Sequence, residues 1–134
     1  MSVSIDLQTL IYQRLVADAG VHAIVADRIF DRMPGDADYP CVTFGSSDYT
    51  PDDMECIEGR DETIQLDCWA IDHGRLRPAK ELADAVKAAL HRYEADAGDS
   101  ALITMNVEMV RVIRDADGLT GHGIITLTVN LEEG

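Results

Sequence analysis

Carboxylates dominate the residues of this chain that could do chemistry. Asp48, Asp52, Asp53, Glu55 and Glu58 crowd one short segment. Oxygen donors at that density suit a hard divalent cation. A cation held by Asp52, Asp53 or Glu55 would make the segment the centre of a metal-dependent hydrolase. The spacing is not that of an EF-hand, and Asp115-Ala116-Asp117-Gly118 lacks the later glutamate that would complete one. The plainer reading is a hydrated acidic loop. His22, His73, His91 and His122 are scattered, and none has a second His or Cys at i+3 or i+4. Surface or turn positions account for them. Gly45-Ser46-Ser47-Asp48-Tyr49 lacks the closing glycine of a nucleophile elbow, and no glycine pattern fits a phosphate loop. Cys41, Cys56 and Cys68 are odd in number and lack CxxC spacing, which reads as free thiols, with a Cys41–Cys68 bridge as the alternative. No catalytic set emerges, and neither a cofactor nor a metal is expected.

The elements that must carry these residues follow from periodicity. Leu7, Leu10, Ile11 and Leu15 predict a helix from Asp6 to about Ala17, capped by Ser4 or Asp6 and ended by Gly20. Val21 to Ala26 suits one further short helical turn. Ile29 to Arg32 is a short strand stopped by Pro34-Gly35, and Pro40 introduces a strand from Cys41 to Ser47. Asp48 to Asp61 reads as a long loop. Glu62 to Asp72 is the clearest strand, with Ile64, Leu66, Cys68 and Ala70 on one face and Thr63, Gln65, Asp67 and Trp69 on the other. His73-Gly74 turns the chain into a helix from about Arg75 to Tyr93, with Pro78 in its first turn. Ala101 to Arg114 is long enough for two strands. Its apolar phase slips from Ile103, Met105, Val107 and Met109 to Val110 and Val112, which predicts a bulge near Met109 and also a sheet buried on both faces over part of its length, as an oligomer would provide. Asp115 to Gly121 is turn chemistry, and Gly123 to Leu131 is the last strand. Strands in runs with helices between them predict an α+β fold: a mainly antiparallel sheet with two main helices packed on one face.

Length and charge narrow the function. The 134 residues suit one domain, 1–134. Against 25 acidic residues stand 11 basic ones, a net charge of −14, which opposes a phosphate-neutralising nucleic-acid face and an anionic membrane surface. The N-terminus shows no signal peptide, and no apolar run is long enough for a bilayer. Such a charge also suits an acidic decoy or adaptor that occupies a basic partner. In the acidic loop, Tyr49, Met54 and Ile57 are anchors for protein contact. Trp69, the one tryptophan, faces away from the core side of its strand. It marks either a second small core under a helix or a subunit-interface anchor.

The order of several pieces is familiar. A first helix precedes Asp31-Arg32-Met33-Pro34, then Tyr39-Pro40-Cys41-Val42-Thr43-Phe44-Gly45, the strand Leu66-Asp67-Cys68-Trp69-Ala70 and the helix from Ala79 to Leu90. Arg114-Asp115-Ala116-Asp117-Gly118-Leu119-Thr120-Gly121-His122-Gly123 then leads into the final strand. Over nearly its whole length the chain resembles the tail completion, or tail terminator, proteins of long non-contractile-tailed phages and of phage-like gene transfer agents. It departs from their pattern at Met33, at Gly121 and in an acidic N-terminal flank.

The resemblance implies a structural virion assembly protein with a tail-tube-like fold, not an enzyme. It implies a homo-oligomeric ring, of six copies, that caps the tail tube at its head-proximal end. The implied partners are further copies of the chain, the major tail-tube protein and the head–tail connector or adaptor. DNA would pass through the lumen without specific binding, and no membrane is involved. The protein would be made in the bacterial cytoplasm and reside in the virion or phage-like particle. The loop supplies the contact candidates Tyr49, Asp52, Asp53, Met54, Glu55 and Ile57, the strand supplies Trp69, and the later hairpin supplies Asp117, Leu119 and His122. A ring of six would carry roughly −84 formal charges, and negative walls avoid holding phosphates.

Overall fold

The structure, a computed structural model, describes residues 2–53, 58–97 and 100–132. Its elements are α1 (Val3–Ala17), α2 (Ala19–Val25), β1 (Ile29–Phe30), β2 (Cys41–Pro51), β3 (Gly59–Ile71), α3 (Arg77–Leu90), β4 (Glu94–Ala97), β5 (Ser100–Arg114) and β6 (Thr120–Glu132). The strands form one sheet in the order β1-β2-β3-β6-β5-β4. All pairings are antiparallel except β1 with β2, which is parallel. The fold is α+β.

Alternation builds the core. Ile64 and Leu66 on β3 lie opposite Leu127 and Ile125 on β6, and Ile103 and Met105 on β5 lie opposite Leu131 and Val129. Cross-strand partners share a face, and these residues are buried. Leu7, Ile11 and Leu15, one helical turn apart on α1, join them in one hydrophobic cluster with Val21 and Val25 of α2 and Leu82, Val86 and Leu90 of α3. Arg14 fastens α1 to the end of α3: its Nε donates to Ala89 O at 2.9 Å, and its guanidinium lies 4.1 Å from the Tyr93 ring centroid.

Several sequence expectations need correction. Ser2, not Ser4 or Asp6, caps α1, accepting from the Ile5 N–H. Gly20 does not end that helix but lies within α2. Asp18 makes the corner instead: its N–H closes α1 and its Oδ2 accepts from the Val21 N–H at 3.0 Å. Both ends of the expected loop from Asp48 to Asp61 are strand, because β2 runs on to Pro51 and β3 begins at Gly59. That half of the hairpin extends beyond the core, so its side chains lack the apolar alternation that marks a strand, and backbone pairing alone defines it. β4, only four residues long and without β-branched side chains, was not expected.

Residues 100–114 form one strand, with the bulge where the phase slip predicts it, between Val107 and Met109. The bulge returns Val110 and Val112 to the side of Ile125 and Gly123, where they pack on the core cluster, and Met109 stays 60% exposed. β6 begins at Thr120, not Gly123. Its two early glycines serve packing and not a turn: a Cβ on Gly121 would sit 2.9 Å from Ala79 Cβ, and one on Gly123 would sit 3.3 Å from Ala83 Cβ. Helix α3 therefore lies close on this strand. It spans less than Arg75 to Tyr93, because His91 leaves the helix and Arg92 has φ 62°. Cys41 and Cys68 are free and buried, without a bridge; Cys56 lies outside the described residues.

Candidate functional site

The sheet face opposite the core carries a polar and aromatic constellation. Trp69 and His122 are direct partners across β3 and β6. Their rings stack, with centroids 3.8 Å apart and planes 13° from parallel. His122 Nε2 lies 2.7 Å from Asp67 Oδ1, which also accepts from Gln65 Nε2 at 2.9 Å. Trp69 Nε1 donates to Thr43 Oγ1 at 3.0 Å. The side chains of His122 and Asp67 are only 15% and 10% exposed. Gly45 makes room for this carboxylate, since a Cβ there would meet Asp67 Oδ2 at 2.8 Å. In this His–Asp pair Trp69 covers one face of the imidazole and the carboxylate holds one of its nitrogens. Together with Thr43 and Gln65 the residues make a hydrogen-bonded polar patch. Among the described residues no three His, Cys, Asp or Glu side chains gather as a metal site.

Beyond the patch the same face turns polar. Asp61 accepts from Asn130 Nδ2 across the strands, and Thr128 Oγ1 donates to Glu108 Oε1 at 2.8 Å. Thr63 and Thr126 alternate with core residues in the adjoining positions. Arg111, level with Ile124, is the one Arg or Lys among the described strand residues on this face.

The β2–β3 hairpin is pinned to α1. The Arg60 guanidinium lies 3.8 Å from the Tyr49 ring centroid, and its Nη1 reaches Glu62 Oε1 at 3.3 Å and Ser4 Oγ at 3.1 Å. Ser4 Oγ donates to Glu62 Oε1 at 3.0 Å, so the buried carboxylate is satisfied from two elements. At the hairpin's end the Asp52 N–H donates to Gly59 O at 2.9 Å. Asp53 Oδ1 accepts from the Gly59 N–H at 3.4 Å.

At the opposite end, the turn from Asp115 to Leu119 is held by Asp117. Its Oδ2 accepts from Thr120 Oγ1 at 2.6 Å and its Oδ1 from the Leu119 and Thr120 N–H groups at 2.8 Å each. These bonds, the Thr120 hydroxyl first, hold the carboxyl below the usual range. Gly118 supplies φ 70°.

The contact candidates thus fall into three places. Tyr49, Asp52 and Asp53 lie at the end of one hairpin, Asp117 and Leu119 at the other, and Trp69 and His122 meet on the sheet face between. Met54, Glu55 and Ile57 lie outside the described residues. Sequence reasoning missed Asp67, Thr43, Arg60 and Glu62. Asp67 was assigned to the correct face, but its bond to His122 depends on the β3–β6 register, and Glu62 and Arg60 carry no signal of burial.

It also missed the sheet's edges. β1 covers only Val42 and Thr43 of β2. β4 covers β5 as far as Thr104, and Arg92 and Tyr93 bond the backbone of Met105. Among the described residues, no strand lies outside Ser47–Pro51 of β2 or outside Glu108–Arg114 of β5.

The family model described as tail completion protein gp17 matches residues 9–132. The chain belongs to this tail completion protein family. Among solved structures, a chain of one titled "Virion of native gene transfer agent (GTA) particle" superposes with a TM-score of 0.88 at 20% identity, covering 98% of each chain. At that identity the likeness is one of fold. No curated protein matches the chain. The fold of the tail completion chain thus has a structural relative, while its contact candidates are placed by its own geometry alone.

Proposed function

We propose that this chain is a structural virion protein that works as a ring of copies, six in number. Each copy is a single domain over residues 1–134. The ring closes the head-proximal end of a tail tube, joins the tail to the head connector and lets DNA pass. One observation carries the reading: the sheet has open edges on both sides, on β2 and on β5. Exposed strand edges are sites for pairing with another chain. Two different edges on one molecule make a head-to-tail contact, and such contacts close into rings when the rotation allows. Membership in the tail completion family and the likeness to a chain of a gene transfer agent virion support a place in a particle's tail.

The sheet face opposite the core suits a channel wall. Its threonines, Asn130, Asp48 and Asp61 offer phosphates little to hold, because each phosphate contact needs a cation. The two hairpin ends, with Tyr49, Asp52 and Asp53 at one and Asp117 and Leu119 at the other, are the surfaces for the tube protein and the connector. The reading requires no catalytic group and no cofactor.

Light scattering and electron microscopy of the purified protein, alone and with the major tail-tube protein, test this reading. Rings of about six copies are expected. Monomers alone, at high concentration and with tube protein present, would refute it.

A further inference from the structure

The two open edges match in direction and in hydrogen-bond phase. β2 and β6 both run antiparallel to β3, and β5 runs antiparallel to β6. The open edges therefore run in opposite directions, and a second copy set alongside with the same face inward meets the first in antiparallel pairing. The Asp52 N–H bonds to Gly59 O, so alternation turns the backbone groups of Tyr49 and Ser47 outward. The Asp115 N–H bonds to Thr120 O at 2.8 Å, so alternation turns those of Val110 and Val112 outward.

Side chains select the register. Asp48 and Arg111 both lie on the face opposite the core, level with Thr63 and Ile124, and both are exposed. No ion pair joins either to another described residue. On the other face, Tyr49 is 51% exposed, while Val110 and Val112 sit half-buried at the rim of the core cluster. The geometry points to one seam: Asp48 opposite Arg111 of the next copy, Tyr49 opposite its Val110, and Ser47 opposite its Val112. This inference rests on the ring reading and names the contact that aligns the copies. The ion pair fixes register more than it adds affinity. It also occupies the cation on the face assigned to the channel.

Two independent features favour this register. The first is room. The next copy's Arg114 ends level with Phe44, just short of Thr43, which Phe30 of β1 already pairs with. Setting Asp48 opposite Met109 instead would drive the end of β5 onto Thr43. Setting it opposite Ile113 would shorten the seam.

The second feature is closure. Asp48 is level with Thr63, and Arg111 is level, through Ile124, with Asp67, four residues along β3. Each copy contributes the strands β2, β3, β6 and β5 between its seams, so the offset is one residue per strand. At about 3.4 Å per residue and about 4.8 Å per strand, the strands tilt about 35° from the ring axis, whatever the copy number, which is at the edge of the closed-barrel range of about 35–45°. The two neighbouring registers would give tilts of about 20° and about 47°, both outside it.

Charge reversal and cross-linking of the full chain test the seam. Asp48→Arg and Arg111→Asp should each weaken self-association about tenfold, by like-charge contact at the seam, and the double variant should recover to within about threefold of the original. Circular dichroism and Trp69 emission confirm that each variant is folded. With Cys56 replaced by serine, Thr50→Cys with Met109→Cys should form disulfide-linked multimers, because such opposed positions bring Cα atoms to about 4.5 Å. Thr50→Cys with Ile113→Cys should not. Rings that tolerate both single reversals, or that cross-link only through Ile113→Cys, overturn this register and leave the ring reading standing. Monomers without any cross-link, with tube protein present, overturn both.

Discussion

The His122 imidazole lies flat against the Trp69 indole, 3.8 Å between centroids, and its Nε2 is fixed 2.7 Å from Asp67 Oδ1. Stacking and hydrogen bonding thus hold one ring from two directions. His122→Ala removes both, leaving Asp67 with Gln65, and should cost about 1–2 kcal/mol. Trp69 is the one tryptophan, so its emission reports the change directly. A red shift and a lower urea midpoint are expected. His122→Phe should keep most of the emission while losing the Asp67 bond. An unchanged emission maximum in His122→Ala would mean that the rings do not stack.

Helix α3 rests on the glycines of β6, which makes Gly121 intolerant of a side chain. A Cβ there would be 2.9 Å from Ala79 Cβ. Gly121→Ala should lower stability by about 1–3 kcal/mol, the usual range for overpacking. Gly35→Ala, where nothing lies within 4 Å, is the control and should change stability by under about 0.5 kcal/mol. Equal midpoints for the two variants would refute the close approach of helix and strand.

Burial pushes the Cys41 thiol up to about 11, with Arg28 opposing, and raises Cys68 further through burial, then Asp67 and Cys41. An unfolded thiol titrates at about 8.5. Below that pH both states keep the proton, and the stabilisation is complete. Between about 9 and 11 the unfolded chain ionises first, so stability falls as pH rises. Urea midpoints from pH 8 to 11 should drop more steeply for the natural chain than for Cys41→Ala with Cys68→Ala. Parallel curves would remove the thiols as the cause.

Asp117 behaves in the opposite sense. Its carboxyl is held low by the Thr120 hydroxyl and by two backbone N–H groups. The order that it gives the turn is therefore present at neutral pH and fades as pH falls through the depressed value. Nuclear magnetic resonance of the Leu119 and Thr120 amides should show a titration below the ordinary carboxylate range. Asp117→Ala should abolish it. A midpoint at the ordinary value would contradict the hydrogen bonding.

Much of this fold was legible where one face is buried. Ile64, Leu66 and Cys68, or Ile125, Leu127 and Val129, announce their strands by alternation, and the phase slip near Met109 placed a bulge correctly. Legibility failed where backbone pairing, and not side-chain burial, defines the element. Asp48 to Pro51 pair residue for residue with Arg60 to Thr63, yet the side chains of Asp48 to Pro51 and of Arg60 and Asp61 look like a loop. The site was half legible for a related reason. Trp69 was assigned a face, but its meeting with His122 is a matter of register between strands that lie far apart in the chain.

The bulge in β5 gives that strand a spare residue. Ile103 and Met105 before it, and Val110 and Val112 after it, share one side only because Glu108 and Met109 together stand opposite Thr126. Paired one for one at its full length, the strand would turn by half beyond Val107, sending Val110 and Val112 to the opposite face and Arg111 toward the core. Losing Glu108 does the reverse: Val107, Met109 and Val110 then alternate without a bulge, and Val110 and Val112 stay on the core side. For this protein, an in-frame deletion of that one codon mends the ladder and leaves inside and outside where they were.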